Sequence, residues 1–259
     1  MKYFELLKEI YETGETVGPR GLETRELRNV VLDVDTYNAV SVPVCRDWQD
    51  VRKYLYAELA WYMSGDRKLD KIRPFSKFWD KIANPDGTIN SNYGDLVFYR
   101  KNSLGMTSFN WALISLLSDQ DTRQAIILYN DRELFYKGNK DLICNQYQQF
   151  FIRNNVLDCT VTLRSSDAIY GLTFNIPWWS FVHQRMYLML KKSEYPELQL
   201  GKITAFIGSS HIYQNKYELV KEMLNGEKEY RWLSLIVAPP IGESFEFYDY
   251  FFKRNFIES

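Results

Sequence analysis

The chain has 259 residues, a net charge of −1, 46% hydrophobic residues and 25% charged residues, as expected for an ordinary globular protein. The balanced charge argues against a nucleic-acid partner, which would need a concentrated basic stripe. No apolar run approaches the roughly 18 residues of a membrane span, and the acid-containing N-terminus is unlike a signal peptide. Three cysteines, Cys45, Cys144 and Cys159, lack metal-type spacing, which predicts reduced thiols, a cytoplasmic location and no metal site.

The hydrophobic pattern predicts helices and strands in irregular order. The first half predicts a helix over 3–12, a strand over 28–34, a helix over 48–63, a turn at 84–87, a helix over 107–118 and a strand over 124–129. The second half predicts a hairpin of strands 146–152 and 156–163, a helix over 175–191, a strand over 202–208, a helix over 213–224 and a strand over 245–251. Because strands do not alternate regularly with helices and no linker is visible, we expect one α+β domain over 1–259 with a mixed sheet.

Cys144 is the first candidate for chemistry, because polar amides surround it. Four such side chains follow it closely: Asn145, Gln146, Gln148 and Gln149. A lone cysteine beside apolar residues is more often a small core residue, but amides are unfavourable in a simple buried strand. They predict a wet pocket floor, where a nearby arginine would favour the nucleophilic thiolate.

A second polar segment, 164–167, ends the predicted strand 156–163. Its members are Arg164, Ser165, Ser166 and Asp167. They form either a surface turn with an ordinary ion pair or a cradle for an anion, since a guanidinium fork with hydroxyls suits a phosphate. Further on, Asn175 either caps a helix or presents the donor and acceptor that would match a uracil edge.

Three more candidates lie inside a predicted helix or just before one. Glu58 stands inside an apolar helix, where its flanks predict burial, a raised pKa and a role in proton transfer, although an exposed glutamate is the ordinary alternative. His211 and Tyr213 follow a predicted strand, where His211 either caps the next helix or joins Tyr213 in holding a sugar hydroxyl.

Taken in order, these segments resemble the thymidylate synthase family, including its pyrimidine hydroxymethylase branch. The family's nucleophile motif, a Cys with Gln-Phe five positions later, is matched by Cys144, Gln149 and Phe150. Its Arg-Ser-x-Asp-x-x-x-Gly-x-x-x-Asn stretch is matched by Arg164, Ser165, Asp167, Gly171 and Asn175. Its Gly-x-x-His-x-Tyr and Glu-Leu-x-Trp stretches are matched by Gly208, His211, Tyr213, Glu58, Leu59 and Trp61. Trp79, Tyr93, Arg123 and Arg20 stand at further family positions, so the resemblance covers roughly residues 1–225.

The resemblance implies a role for each matching residue. The catalytic set is Cys144, Glu58, Tyr93, Arg164 and Asn175. The substrate-binding set is Arg20, Arg123, Gln149, Arg164, Ser165, Ser166, Asp167, Asn175, His211 and Tyr213. The set for the folate cosubstrate, 5,10-methylenetetrahydrofolate, is Glu58, Trp79, Asp167 and Gly171. It also implies a large twisted mixed sheet flanked by helices, with one sheet face in the interface of a homodimer and Arg123 donated across that interface.

Departures from the synthase pattern favour the hydroxymethylase branch. They are Ile143 and Asn145 around the cysteine, the segment 89–94, Ser209 beside Ser210, and a C-terminus without the synthase's apolar closing tail. Asn175 favours uracil over cytosine, because an amide matches O4 and N3–H. The resemblance thus predicts a deoxyuridylate (dUMP) hydroxymethylase, which would suit a phage that modifies its DNA and would place the protein in the host cytoplasm.

Other readings of the same residues stay open. They are a thymidylate synthase, a dCMP or CMP hydroxymethylase, and a non-catalytic relative that binds a nucleotide or nucleic acid. Gln124 also departs from the family, which usually has a second arginine after Arg123, so either phosphate binding is weaker or Arg25 or Arg28 compensates.

Overall fold

The computed structural model describes residues 1–34, 40–44, 48–227 and 231–235, with side chains for 1–34 and 50–227. Its centre is a mixed sheet in the order β1-β2-β8-β6-β5-β4, with β7 paired to β8. The strands are β1 (Glu15–Val17), β2 (Thr24–Val34), β4 (Ile126–Leu128), β5 (Asn145–Arg153), β6 (Val156–Leu163), β7 (Ser166–Asp167) and β8 (Gln199–Tyr213). Strands β6 and β7 run parallel to β8 and the other pairs are antiparallel. Strands β3 (Val40–Val44) and β9 (Arg231–Leu235) form a separate antiparallel pair.

Helices cover one face of the large sheet. They are α1 (Tyr3–Thr13), α2 (Trp48–Ser64), α3 (Leu69–Ile72), α4 (Ser108–Ser118), α5 (Gly171–Ser193) and α6 (Tyr217–Leu224). Helix α5 is the central one, since thirteen of its residues, including both tryptophans and His183, are buried. A helix that is apolar on nearly all sides needs partners on all sides, and α5 finds them in β3, in β6 to β8 of the large sheet, and in α4. The predicted α+β fold with a mixed sheet flanked by helices is therefore confirmed.

The hairpin between β5 and β6 forms where the sequence predicts it. Its loop is Asn154-Asn155, and both residues have positive φ angles of 51° and 59°. A two-residue hairpin loop of this kind requires left-handed backbone, which asparagine tolerates better than most residues. The hairpin pairs Asn145 with Leu163. The residue just before β5 and the residue just after β6 therefore become neighbours.

Several predicted boundaries were wrong, and β8 shows why. It runs to Tyr213, so the segment from Gly208 to His211 is strand and does not connect a strand to a helix. Its hydrogen bonds to β2 and β7 continue past the predicted end at 208, and such pairing cannot be read from one strand's own sequence. Helix α6 accordingly begins only at Tyr217.

The other differences are smaller. Strand β2 begins at Thr24, four residues before the predicted start, and α5 begins at Gly171, before the predicted start at 175. Asn175 therefore lies inside the first turns of α5 and is not its N-cap, which corrects that alternative. The predicted strand over 245–251 and Cys45 lie outside the described residues.

Candidate active site

Cys144 lies just before β5, and Arg164 lies just after β6, at the same end of the hairpin. Their backbones are joined by a 2.9 Å hydrogen bond from Arg164 N to Cys144 O. The guanidinium turns back over this loop: Nη2 lies 3.6 Å from Cys144 Sγ and donates to Leu142 O at 2.6 Å, while Nε donates to Ile143 O at 3.1 Å. Two carbonyls thus hold the cation against the sulfur, which is the arrangement that stabilises a thiolate.

The electrostatics around Cys144 nevertheless favour a resting thiol. Burial is the largest influence and raises the pKa of Cys144, and the nearby carboxylate of Asp141 raises it further. Arg164 and Arg20 lower this pKa, because each cation favours the thiolate. The two cations and the buried, acidic surroundings therefore act in opposite directions on the ionisation of Cys144.

Glu58 lies inside α2 with only 5% of its surface exposed. Tyr54 donates to its Oε1 at 2.9 Å, Tyr62 donates a second hydrogen bond, and Trp79 Nε1 donates to the Tyr54 hydroxyl at 2.9 Å. Burial outweighs these donors and raises the pKa of Glu58 from 4.5 to about 7. The predicted burial of Glu58 is confirmed, and a carboxyl group with this pKa can both give and take a proton near neutral pH.

Tyr54 and Tyr62 were not among the predicted site residues. They stand four residues before and four residues after Glu58, a spacing that places all three on one face of a helix. That spacing is a signal in the sequence, but it identifies hydrogen-bond partners only once Glu58 is known to be buried.

Tyr93 is brought to the site by a close approach at Gly94. A Cβ at Gly94 would lie 1.6 Å from the backbone oxygen of Tyr62, so only glycine lets this loop touch α2. As a result the Tyr93 ring stacks on the Tyr62 ring, with centroids 5.2 Å apart. Burial, followed by the charges of Cys144 and Asp141, raises the pKa of Tyr93 well above its ordinary value, so this group is a phenol and not a base.

Two of the four amides after Cys144 do not belong to the wet pocket floor that the sequence predicts, whereas Gln146 and Gln149 are half-buried. Asn145 and Gln148 are fully buried. Gln148 receives a hydrogen bond from Tyr129 at 2.8 Å and donates to Trp179 O at 3.1 Å, while Asn145 Oδ1 accepts from Trp179 Nε1 at 3.1 Å. The buried partners come from α5 and the loop after β4, so these amides connect the nucleophile's strand to the core. The one exception is Asn145 Nδ2, which makes no hydrogen bond to any described residue.

Asp167 and His211 are paired across β7 and β8. Asp167 Oδ1 accepts from the amides of Ile169 and Tyr170 at 2.8 and 3.2 Å, and its other oxygen accepts no hydrogen bond from the residues described. Burial raises the pKa of Asp167 and lowers the pKa of His211. The charge of His211 lowers the pKa of Asp167, and the charge of Asp167 raises the pKa of His211, so each charge offsets part of the burial effect on its neighbour. A neutral imidazole and a half-satisfied carboxyl group are both able to bind polar groups of a ligand.

Tyr213 continues β8 toward Arg20, which hydrogen-bonds its hydroxyl. Arg20 itself is exposed and has left-handed backbone with φ of 55° in the short turn Pro19–Gly21. Since Arg20 also influences the pKa of Cys144, its cation belongs to the same site as Arg164.

Ser165 and Ser166 differ in exposure. Ser166 is buried at 3%, with its Oγ only 3.0 Å from where a Cβ on Gly171 would lie, whereas Ser165 is half-buried. The predicted pair of hydroxyls is thus divided: Ser165 is accessible to a ligand and Ser166 packs against the start of α5. Asn175 is half-buried one helical turn further, and its side chain makes no hydrogen bond to the residues described.

Arg123 and Gln149 lie apart from this cluster within one chain. Gln149 Nε2 donates to Arg123 O at 2.8 Å, and the Arg123 side chain is exposed. Gln149 stands five residues along the chain from Cys144, which is roughly 16 Å at about 3.3 Å per strand residue. Arg123 therefore does not reach the Cys144 of its own chain, and Gln149 is occupied with the Arg123 segment.

Two absences in the described part of the chain bear on the site. No helix there is long and apolar enough to cross a membrane. The same residues contain no group of three His, Cys, Asp or Glu side chains that could hold a metal ion.

Comparison with known proteins gives one family match and several distant relatives. The family model described as "Thymidylate synthase" matches residues 1–252. A "Deoxycytidylate 5-hydroxymethyltransferase" of Enterobacteria phage T2 is 27% identical over 179 residues, covering 67% of this chain and 72% of the relative. The corresponding protein of Enterobacteria phage T4 is 27% identical over 174 residues, covering 65% and 70%. A "Thymidylate synthase" of Francisella tularensis subsp. holarctica is 26% identical over 240 residues, covering 87% and 84%.

Proposed function

The chain belongs to the thymidylate synthase family, and from this membership we propose that it is a deoxyuridylate hydroxymethylase that converts dUMP to 5-hydroxymethyl-dUMP. Members of the family transfer a one-carbon unit to a pyrimidine nucleotide and use 5,10-methylenetetrahydrofolate as cosubstrate. The observation that carries the proposal is the Arg164 guanidinium 3.6 Å from Cys144 Sγ, with Glu58 buried at a pKa of about 7.

In this proposal, Cys144 Sγ adds to C6 of the pyrimidine ring, and C5 then becomes the carbon nucleophile. Arg164 stabilises the thiolate before the addition. Together with Arg20 and Ser165, it also binds the substrate phosphate. Both arginines lie close enough to Cys144 to influence its ionisation. Their cations would therefore pair with a nucleotide phosphate directly beside the nucleophile.

Glu58 is the proton-transfer group in this reaction. Addition at C6 places negative charge on O4, and a carboxyl group with a pKa of about 7 can protonate that oxygen through water and later take the proton back. The hydrogen bonds from Trp79 to Tyr54 and from Tyr54 to Glu58 hold the carboxyl group in one orientation. The phenol of Tyr93, which is too weak an acid to ionise, would hold water near the C5 proton.

The residues present fit the folate cosubstrate, whose chemistry is to supply the one-carbon unit. Asp167 keeps one carboxylate oxygen without a hydrogen bond from the described residues, and this oxygen suits the N–H groups of a pterin. Trp79 lies beside Phe78, which is 54% exposed, so an aromatic wall reaches from Glu58 to the surface. Gly171 keeps the start of α5 free of a side chain beside Asp167.

Hydration of the C5 methylene intermediate, in place of its reduction, is supported by one unsatisfied polar atom beside Cys144. Asn145 Nδ2 is a buried donor without a described partner, and such a donor is satisfied by a water molecule or a substrate oxygen. The loop before Tyr93 carries the buried side chains of Asn90, Ser91 and Asn92. Two of the relatives are phage hydroxymethyltransferases, which favours the same outcome.

The base preference rests on Asn175. Its amide offers a donor to O4 and an acceptor to N3–H of uracil, and it is not engaged with any described residue. Cytosine presents an amino group and an unprotonated N3 in these places and would match a carboxylic acid better. The phage relatives bear a deoxycytidylate name, so uracil preference would distinguish this chain from them.

We further propose that the enzyme works as a homodimer in which the partner's Arg123 completes the phosphate site. Arg123 is exposed and too far along β5 to serve its own Cys144. The outer face of the sheet nearby exposes Val31, Leu128 and Phe206 at 42%, 58% and 44%, which is unusual for a face that stays in water. A mixture of Cys144→Ser and Arg123→Ala chains should regain activity that neither variant has alone; a monomer in sedimentation would contradict the dimer.

Product analysis tests the proposed reaction directly. The purified chain is incubated with 5,10-methylenetetrahydrofolate and either dUMP or dCMP, and products are identified by mass spectrometry. We expect 5-hydroxymethyl-dUMP from dUMP, tetrahydrofolate as the second product, and much slower turnover of dCMP. Accumulation of dTMP and dihydrofolate would make the chain a thymidylate synthase, the second candidate, which the Francisella relative favours.

A covalent trap distinguishes the proposed enzyme from a non-catalytic relative that only binds a nucleotide. Incubation with 5-fluoro-dUMP and the folate should give an adduct on Cys144 that survives denaturation, because C5 then carries fluorine where the proton should leave. Cys144→Ser provides the control. Nucleotide binding without an adduct would overturn the enzymatic proposal.

A further inference from the structure

Asp141 is a buried carboxylate for which the family role of Cys144 provides no explanation. Only 6% of it is exposed, and among the described residues no cation lies within ion-pair distance. Burial raises the pKa of Asp141 and the charge of Arg67 lowers it, but that guanidinium donates to Ile89 O and Asn90 Oδ1, both at 2.9 Å. Burying a carboxylate without a paired cation is unfavourable, and a neutral residue would avoid this penalty.

The carboxylate connects two segments that carry active-site residues. Asp141 Oδ2 accepts from Ser91 N at 2.8 Å and from Ser91 Oγ at 3.0 Å, and the Asn90 backbone adds another hydrogen bond. Ser91 stands two residues before Tyr93, and Asp141 stands three residues before Cys144. Together with the hydrogen bond from Asn90 Nδ2 to Asn139 Oδ1 at 3.2 Å, these bonds hold the two short segments against each other.

The negative charge of Asp141 affects the ionisation of Cys144. Cys144 is influenced by the cations Arg164 and Arg20 and by the carboxylate of Asp141, and it in turn influences the phenols of Tyr93 and Tyr213. Two cations favour the thiolate, and Asp141 is the acidic group that opposes them.

We propose that Asp141 is a positioning residue that holds the Tyr93 segment against the Cys144 segment and whose negative charge opposes ionisation of the free Cys144 thiol. This inference rests on the proposed function only in taking Cys144 as the nucleophile. It assigns the charge of Asp141 a purpose beyond the hydrogen bonds, which an asparagine oxygen would also accept.

Asp141→Asn separates the two effects, because it keeps an acceptor for Ser91 and removes the charge. The rate of Cys144 alkylation by iodoacetamide is measured against pH on the full chain, with peptide mapping to distinguish Cys144 from the other thiols. We expect the midpoint of the profile to fall by about one pH unit, so that alkylation at pH 7 becomes several-fold faster. Asp131→Asn is the matched control: it removes an exposed carboxylate from the same β4–β5 connection, where its oxygen caps Glu133 N at 3.1 Å, and it should leave the profile unchanged.

Ser91→Ala is the second variant and guards against misfolding of the first. It removes one hydrogen bond to Asp141 Oδ2 and keeps the negative charge, so its profile should keep the wild-type midpoint; a shift as large as that of Asp141→Asn would make altered positioning, and not charge, the cause. A profile unchanged in a folded Asp141→Asn chain, as judged by circular dichroism, would overturn the proposal. Alkylation needs neither nucleotide nor folate, so this result is independent of whether the product assay supports hydroxymethylation.

Discussion

Glu58→Gln isolates the energetic consequence of a carboxyl group buried within α2. Glutamine has nearly the same shape, and its amide oxygen can still accept the hydrogen bond of Tyr54, but it cannot ionise. All other titrating groups are shared by the two proteins. The difference between their free energies of unfolding, followed over pH, therefore reports on the ionisation of Glu58 alone.

The magnitude follows from the raised pKa. Burial moves the pKa of Glu58 from 4.5 in an unfolded chain to about 7 in the folded one. Between these values the folded protein retains a proton that the unfolded chain has released, so stability falls as pH rises. A difference of roughly 2.5 in pKa, at about 1.4 kcal/mol per pH unit, amounts to about 3 kcal/mol. The full stability is present below pH 4.5 and this amount is lost once the pH passes about 7.

Urea unfolding at several pH values between 4.5 and 8 measures the effect. Relative to the wild-type chain, Glu58→Gln should become more stable by about 3 kcal/mol at pH 8 than at pH 4.5. Glu218→Gln is the control, because it removes an exposed carboxylate in a surface ion pair with Lys221 and should change this comparison by well under about 1 kcal/mol. A pH-independent difference between wild type and Glu58→Gln would refute the burial argument.

Three further predictions follow from the site. Arg164→Gln removes the cation 3.6 Å from Cys144 Sγ, so the midpoint of iodoacetamide alkylation should move to higher pH; an unmoved midpoint would show that the contact has no electrostatic effect. Asn175→Asp should shift the ratio of kcat/KM values for dUMP and dCMP by roughly 100-fold toward dCMP, and an unchanged ratio in competition assays would remove Asn175 from base recognition. Gly94→Ala places a Cβ 1.6 Å from Tyr62 O and should destabilise the protein by about 3 kcal/mol or more in thermal unfolding, whereas Gly18→Ala, with nothing within 4 Å, should not.

Predictions for the helices and the central hairpin were accurate where local signals are strong. Helix α1 has an apolar face of Tyr3, Leu6, Leu7 and Ile10, and Glu5 caps Lys2 N at 2.8 Å. The β5–β6 hairpin has two asparagines in the turn that its geometry requires. In both cases the cause lies within a few neighbouring residues, so a single sequence contains it.

Other predictions failed because the interactions that decide these features come from another segment of the chain. The extension of β8 to Tyr213 depends on pairing with β2, more than 180 residues away in the chain. Asn145 and Gln148 were expected in a wet pocket, but partners on α5 and after β4 take up their hydrogen bonds in the core. Polarity predicts water unless a partner is available, and the partner is supplied by tertiary packing.

The chemical identity of the site was contained in the order and spacing of a few residues, Cys144, Arg164, Asn175 and Glu58 among them, since these types at these intervals suffice to indicate the family. The ionisation of those residues was decided by the fold. Burial within α2 sets the pKa of Glu58. The fold also brings the charges of Arg164, Arg20 and Asp141, which act in opposite directions on the pKa of Cys144, close to that thiol. Ionisation depends on solvation and on distances between charges, and only the folded chain brings residues 58, 93, 141 and 164 to those distances.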